Sequence, residues 1–194
     1  YKKKLSNEVG EFEKYLETIN RQIKDIEKLV NEFSNFARMP RPILKKIDLI
    51  KIINKSLDFI KLTSKNKIDL NIKTKNKFIY GDEAQLNRVF INLIKNSEES
   101  FLEQLQKDPN FKGNIDIAIN DNNDYIIIRI LDNGTGIIDA KKAMTPYFTT
   151  KKTGTGLGLP IVTKVINEHS GNFTIKNKKD KSGVEVKIVL PKYV

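Results

Sequence analysis

The 194-residue chain contains no cysteine, no tryptophan and a single histidine, His169. Disulfides, thiol nucleophiles and zinc sites built from cysteine or several histidines are therefore excluded, so any bound metal should be a hard ion held by oxygen. There is also no apolar run of 18 or more residues, and no basic start followed by an apolar stretch and a small-residue cleavage site. This segment is expected to be soluble and cytoplasmic, with any membrane contact, such as an inner-membrane anchor, made by parts outside it. Acidic residues are the minority charge, 24 against 35 Lys and Arg, for a formal net charge of +11. The excess lysines are scattered (Lys2 to Lys4, Lys45 and Lys46, Lys73 to Lys77, Lys151 and Lys152, Lys176 to Lys181) rather than gathered on one stretch, which reads as solvated surface, and nucleic acid is not an expected partner.

What is present suits one medium globular domain with a helical appendage: 39% hydrophobic and 30% charged residues. Apolar residues recur at Leu5, Val9, Phe12, Leu16, Ile19, Ile23, Ile26, Val30, Phe33 and Ala37 in alternating steps of four and three. A seam sustained over more than four heptads predicts a coiled-coil-type helix that pairs with another helix, and no second helix of this kind follows. Met39-Pro40-Arg41-Pro42 should end it, because each proline disfavours helical backbone before it and removes an amide donor. A boundary is expected there, with 1–39 as the helix and 40–194 as a domain.

Beyond it, alternating patterns predict strands near Leu44–Ile47, Ile68–Ile72, Phe78–Tyr80, Ile115–Ile119 and Tyr125–Leu131, a helix over about Leu49–Thr63, and a long helix opening at Asp82 with Gln85 as its capping-box partner. The strand Tyr125–Leu131 is apolar enough to be covered on both sides. A helix near Leu159–Glu168, stopped by Gly171, precedes a hairpin of Phe173–Lys176 and Val184–Leu190, whose Val184, Val186, Ile188 and Leu190 alternate with polar residues. The fold class is α+β: a two-layer α/β sandwich, one mixed sheet with helices on one face, preceded by the long helix.

Four stretches carry chemistry. Asp132-Asn133-Gly134-Thr135-Gly136 follows the most apolar strand, so a carboxylate sits at the end of a rigid element where glycines let backbone approach a ligand. Alone, this is as readily an ordinary turn. Gly154-Thr155-Gly156-Leu157-Gly158-Leu159-Pro160 opens a helix whose free amides and dipole favour phosphate. It is neither a Walker loop nor a dinucleotide fingerprint, since the spacing is GxGxG with no strand before it and no Gly-Lys-Ser/Thr after it. Asn92 and Asn96 lie four apart on the long helix, beside Lys95 and Glu99, and a carboxamide oxygen can ligate Mg²⁺ without adding charge next to a triphosphate. Finally, Thr145-Pro146-Tyr147-Phe148-Thr149-Thr150-Lys151 sets hydroxyls and an ammonium just before the second glycine cluster; alone it reads as an ordinary loop, as the asparagine pair alone reads as exposed polar surface.

The order of these pieces resembles the GHKL family of ATP-binding domains (gyrase, Hsp90, histidine kinase, MutL), whose fold is the Bergerat sandwich. NLIKN at Asn92–Asn96 looks like its N box, DNGTG at Asp132–Gly136 its G1 box, PYFTTK at Pro146–Lys151 its F box and GTGLGL at Gly154–Leu159 its G2 box. The resemblance covers about Leu44 to Val194, and NEFSNFARMPRP at Asn31–Pro42 further resembles the joining segment of NtrY-type nitrogen-regulation sensor kinases. It implies that Asp132 accepts a hydrogen bond from the adenine amino group, with Gly134 and Gly136 on that side, and that Asn96 holds Mg²⁺. Asn92, Lys95 and Lys151 are then expected to act at the transferring phosphoryl group, and Thr149, Thr150, Gly154, Thr155, Gly156, Leu157, Gly158 and Leu159 to surround the phosphates and lid.

The resemblance also discriminates within the family. Hydrolysing members are expected to carry a glutamate base four residues before the Mg²⁺ asparagine, where this chain has Asn92, so direct hydrolysis is disfavoured. The implied activity is that of a sensor histidine kinase: ATP's γ-phosphoryl group passes to a histidine on a helix preceding Tyr1, then to the aspartate of a response-regulator receiver domain. The heptad helix would be the second half of that dimerisation hairpin, giving a homodimer and leaving an apolar stripe that drives self-association. His169 is expected to be structural. A non-catalytic signalling module and another GHKL ATPase or serine/threonine kinase are the alternatives.

Overall fold

The computed structural model describes residues 2–151, 154–179 and 182–193. The heptad segment is one helix, α1 (Lys2–Ala37). The side chains of the first two seam positions, Leu5 and Val9, lie outside the described residues. From Phe12 to Phe33 the seam is uncovered, with Phe12, Leu16, Ile19, Ile23, Ile26, Val30 and Phe33 each 44% to 62% exposed. A continuous apolar stripe of this length gains free energy whenever another helix covers it.

The rest of the chain runs β1 (Lys45–Asp48), α2 (Leu49–Lys61), β2 (Lys67–Ile72), β3 (Phe78–Gly81), α3 (Glu83–Lys107), β4 (Asn114–Asp121), β5 (Tyr125–Asp132), α4 (Ala140–Ala143), α5 (Gly158–Glu168), β6 (Asn172–Asn177) and β7 (Val184–Pro191). Five strands form a mixed sheet in the order β2-β4-β5-β7-β6, with β2 parallel to β4 and the other pairs antiparallel. Because side chains alternate across a strand, register decides the core. Ile117 faces Ile130 and Ile130 faces Val186, while Ile128 faces Ile188 and Ile126 faces Leu190. These rows are buried beneath α2, α3 and α5, which contribute Ile53, Leu57, Phe90, Ile94, Phe101, Val162 and Ile166, among others. Each such side chain is worth about 1.5–3 kcal/mol of transfer free energy.

Only that face of β5 is closed: Ile127 and Leu131 on the other side are half-buried and Arg129 is exposed, so the expected cover on both sides does not form. Strands β1 and β3 make an antiparallel ladder of their own rather than joining the large sheet. The Tyr193 amide, donating to the Phe78 carbonyl at 2.9 Å, ties that ladder to the chain end after β7.

Asp82 caps α3, its Oδ1 accepting from the amides of Ala84 and Gln85. The predicted capping box closes only halfway. Gln85 turns away to donate its Nε2 to the Pro40 carbonyl at 3.0 Å, and the Asp82 amide instead donates to Nε2 of His169 at 2.9 Å. His169 is 2% exposed, and its Nδ1 lies 2.8 Å from the Val165 carbonyl. An amide can only donate, so Nε2 is the bare nitrogen and the ring is the neutral Nδ1–H tautomer. Helix α5 then ends in a Schellman motif: Ser170 at φ +55 donates to Asn167, and Gly171 to Ile166. The left-handed position thus falls to Ser170, not Gly171. Glycine at 171 answers to crowding, since a Cβ there would lie 2.7 Å from the Val189 carbonyl.

The link after α1 docks on this junction, where the Ile43 amide donates to Asp82 Oδ2 at 3.0 Å. Burial opposes ionisation of Asp82, but the amides of Ile43, Gln85 and Ala84 outweigh it and hold the carboxyl below the ordinary 3.8. At Asp48, the cap of α2, burial is likewise outweighed, by Lys77 and the Lys51 and Ile50 amides. Both groups have depressed folded values, so their stabilisation is complete above the unfolded value and is lost as pH falls through the lower folded one. Thermal melts by circular dichroism should show Tm dropping below about pH 4, and Asp82→Asn, which keeps a capping oxygen, should make that acid limb shallower. An acid limb identical to wild type would reject this assignment.

Candidate functional site

A cavity of about 480 Å³ opens between α3, the end of β5 and the segment from Thr135 to Leu159. Helix α3 presents Asn92, Asn96 and Glu99 on one face at steps of four and three, with Lys95 and Ser100 alongside, and all five line the cavity. The Asn92 Nδ2 is buried with no acceptor. A donor left in that state, on a cavity wall, suits an anionic oxygen.

Asp132 forms the floor, 7% exposed. Its Oδ1 accepts from the amides of Gly134 at 2.9 Å and Val184 at 3.1 Å, and its Oδ2 from Ser97 Oγ at 3.1 Å. These donors orient the carboxylate and leave Oδ2 with acceptor capacity on the cavity side. The loop behind it is held by two asparagines that imitate strand pairing. Asn133 accepts from the Asn114 amide and donates to the Lys112 carbonyl, and Asn177 accepts from the Ile137 amide and donates to the Ile137 carbonyl. Gly134 packs so tightly that a Cβ would lie 1.8 Å from Ser100 Oγ.

At the other end, Phe148 donates to the Thr145 carbonyl across Pro146-Tyr147, with Tyr147 at φ +69. Proline second and a positive φ third is a type II turn, a place usually given to glycine or asparagine, so tyrosine there stores about 1 kcal/mol of strain. The turn is hooked to the second glycine cluster by Tyr147, whose amide donates to the Gly156 carbonyl. Tyr147 also meets α1, its ring centroid 6.2 Å from that of Phe33. Helix α5 begins at Gly158 with no side chain capping it, and its first two residues, Gly158 and Leu159, line the cavity. Free amides and the positive end of a helix therefore face the same space as Asn92.

Lys151 reaches back to α3, its Nζ 2.5 Å from Glu99 Oε2 and 3.3 Å from Asn96 Oδ1. The Asn96 oxygen thus already receives a cation. Among the described residues no group of three or more His, Cys, Asp or Glu gathers as a metal cage, so an ion at Asn96 would share its shell with oxygens from a bound ligand.

Of the residues singled out from sequence, Asn92, Lys95, Asn96, Asp132, Gly136, Thr149, Thr150, Lys151, Gly154, Thr155, Gly156, Gly158 and Leu159 line one cavity. Gly134 and Leu157 do not: Gly134 lies behind Asp132 against Ser100, and Leu157, 1% exposed, anchors the loop in the core. Sequence reasoning placed Ser97 only on the packing face of the long helix and Lys178 only among solvated lysines, and assigned no role to Asn177 or the Gly183–Val184 amide segment. Lys178 Nζ donates to the Asp132 carbonyl at 2.8 Å. Ser97 could have been found by its helical step of four from Leu93, but the others arrive from a distant hairpin and leave no local signal.

Residues 81–194 match the family described as histidine kinase-, DNA gyrase B-, and HSP90-like ATPase. The chain is 35% identical over 181 residues, 92% of its length, to an NtrY-like sensor histidine kinase of Rickettsia prowazekii (strain Madrid E). It is 30% identical over 181 residues, also 92% of its length, to nitrogen regulation protein NtrY of Azorhizobium caulinodans. It spans only 29% and 23% of those two relatives. Among solved structures, the catalytic domain of histidine kinase ThkA in nucleotide-free form superposes with a TM-score of 0.62 at 28% identity, covering 77% of this chain and 95% of that one.

Proposed function

Because this chain belongs to the histidine kinase-, DNA gyrase B-, and HSP90-like ATPase family, we propose that its cavity binds Mg-ATP and that, within a longer protein, it passes the γ-phosphoryl group to a histidine outside this segment and from there to a response-regulator aspartate. The observation that carries the reading is that one cavity is lined by a buried, oriented carboxylate at Asp132, by the unpartnered Asn92 amide and by the uncapped start of α5. The first can accept from an exocyclic amine, and the other two can donate to phosphate oxygens.

In this reading Asp132 orients the adenine and Asn96 offers its Oδ1 to Mg²⁺. The ion, when bound, neutralises charge on the phosphates. Asn92, Lys95, Lys151 and the amides of Gly158 and Leu159 position the triphosphate, and Thr149, Thr150, Gly154, Thr155 and Gly156 enclose it. Positioning and charge neutralisation suffice for phosphoryl transfer, which asks little covalent chemistry of the protein. With Asn92 where a hydrolase would place its base, water is not activated here. Residues 1–39 would supply half of a dimerisation hairpin, the exposed seam of α1 pairing with a second helix, and 40–194 the catalytic domain. A membrane, where one is involved, would be met by other segments. Among the described residues no helix is long and apolar enough to cross one.

His169 cannot serve as acceptor while both its nitrogens are engaged in the core. Titration with Mg-ATP should raise the Tm of the chain, by the equivalent of about 2.7 kcal/mol at a hundredfold excess over Kd. Under the same conditions γ-labelled ATP should leave no stable label on the protein. A flat Tm would remove the nucleotide assignment, and stoichiometric labelling would remove the external acceptor.

A further inference from the structure

The Lys151 ammonium lies 3.3 Å from the carboxamide oxygen of Asn96, the atom that would ligate a metal, and 2.5 Å from a full carboxylate at Glu99. Its backbone lies in a local turn: the Lys151 amide donates to Thr149 Oγ1 at 3.1 Å, and its carbonyl accepts from the Gly154 amide at 3.4 Å. The ammonium lines the cavity on a long, flexible stem, within reach of Glu99 and of whatever occupies the cavity. Two other cavity groups bear on it. Lys95 is exposed one helical step away, and Glu103 accepts from Thr135 Oγ1.

A pair with side chains 28% and 41% exposed adds little to folding. Its consequence lies in competition. A metal-free triphosphate would draw Lys151 off Glu99 and set its own negative charge beside a carboxylate stripped of its counterion. A triphosphate carrying Mg²⁺ brings a replacement cation to Asn96, one turn from Glu99, at the moment Lys151 departs. We propose that Glu99 is a specificity-determining residue: by holding Lys151 on the metal-ligating oxygen of Asn96, it makes the cavity select Mg²⁺-loaded nucleotide over metal-free nucleotide. This rests on the reading of the cavity as a Mg-ATP site.

The test is equilibrium binding of ATP to the chain, by calorimetry, in excess Mg²⁺ and in EDTA. Wild type should favour the Mg²⁺-loaded form. Glu99→Gln, isosteric and neutral, should tighten metal-free binding about tenfold and narrow the ratio of the two affinities correspondingly. Glu98→Gln removes the same charge from a side chain that faces Ser64 and Asn66 instead, and should leave the ratio alone. Normal wild-type binding with an unchanged ratio in Glu99→Gln overturns this inference only. No binding by wild type in either condition overturns the nucleotide reading and this inference with it.

Discussion

Asp132→Asn should weaken ATP binding by about a hundredfold while leaving the fold in place. The substituted side chain keeps one oxygen, enough to accept from the Gly134 and Val184 amides as Oδ1 does now. Its new NH₂ meets Ser97 Oγ, a hydroxyl that can turn to accept. The cavity, however, then offers an adenine amino group a donor where it had an ionised acceptor. Losing a charge-assisted hydrogen bond and facing two donors costs about 2–3 kcal/mol, which is the hundredfold. Calorimetric titration with Mg-ATP, beside a melt of the same sample, separates the two effects. Unchanged affinity in a folded Asp132→Asn protein would sink the adenine assignment. Asp132→Ala is expected to behave differently, destabilising the chain as well, because two buried amides lose their acceptor.

The second large effect belongs to a residue outside the cavity. Gly183 adopts φ +114, and a Cβ on it would lie 2.1 Å from the Asp132 carbonyl oxygen and 2.9 Å from the Asn133 Cα. These are backbone atoms at the end of a central strand, so no rotamer change relieves the clash. Gly183→Ala is expected to cost about 3 kcal/mol or more, from the strained φ together with displacement of β5 and β7. Nucleotide affinity should fall with it, since the neighbouring Val184 amide orients Asp132. Gly136→Ala makes the comparison informative. Its φ is +86, but its nearest obstacle is a side-chain oxygen of Asn177 at 3.0 Å, so a smaller loss of about 1 kcal/mol is expected. Urea denaturation ranks the two, and equal stability of Gly183→Ala and wild type would refute the crowding argument.

Such effects mark where the sequence was legible and where it was not. Periodicity located every strand of the large sheet and the helices α2, α3 and α5, because burying one face forces a period of two or near 3.6 on the residues that do it. It could not tell that β1 and β3 stand apart as a ladder, since edge hydrogen bonds leave no trace in side-chain pattern. It missed α4, whose four residues are too few to show a period and whose Asp139 cap resembles any turn aspartate. In the cavity, motif residues assembled because the asparagines ride on the middle of α3, Asp132 ends β5 and Gly158 opens α5, three elements that the core holds in place. Leu157 went the other way: an apolar residue between two glycines was drawn into the core and does not line the cavity. The supports of Asp132 from Gly183 and Val184 were invisible for a different reason. They come from a turn more than fifty residues downstream, where glycine has no local pattern to betray its purpose.

The His169 imidazole joins the start of α3 to the end of α5, the two helices that carry the asparagine pair and the uncapped amides of the cavity. A reagent that acylates a free imidazole nitrogen can reach that ring only while the two helix ends are apart. The chain has no other histidine, so an acylimidazole signal comes from this ring alone even though lysine amines also consume the reagent. Slow imidazole acylation in the native protein is therefore expected, at a rate that follows the opening of this junction.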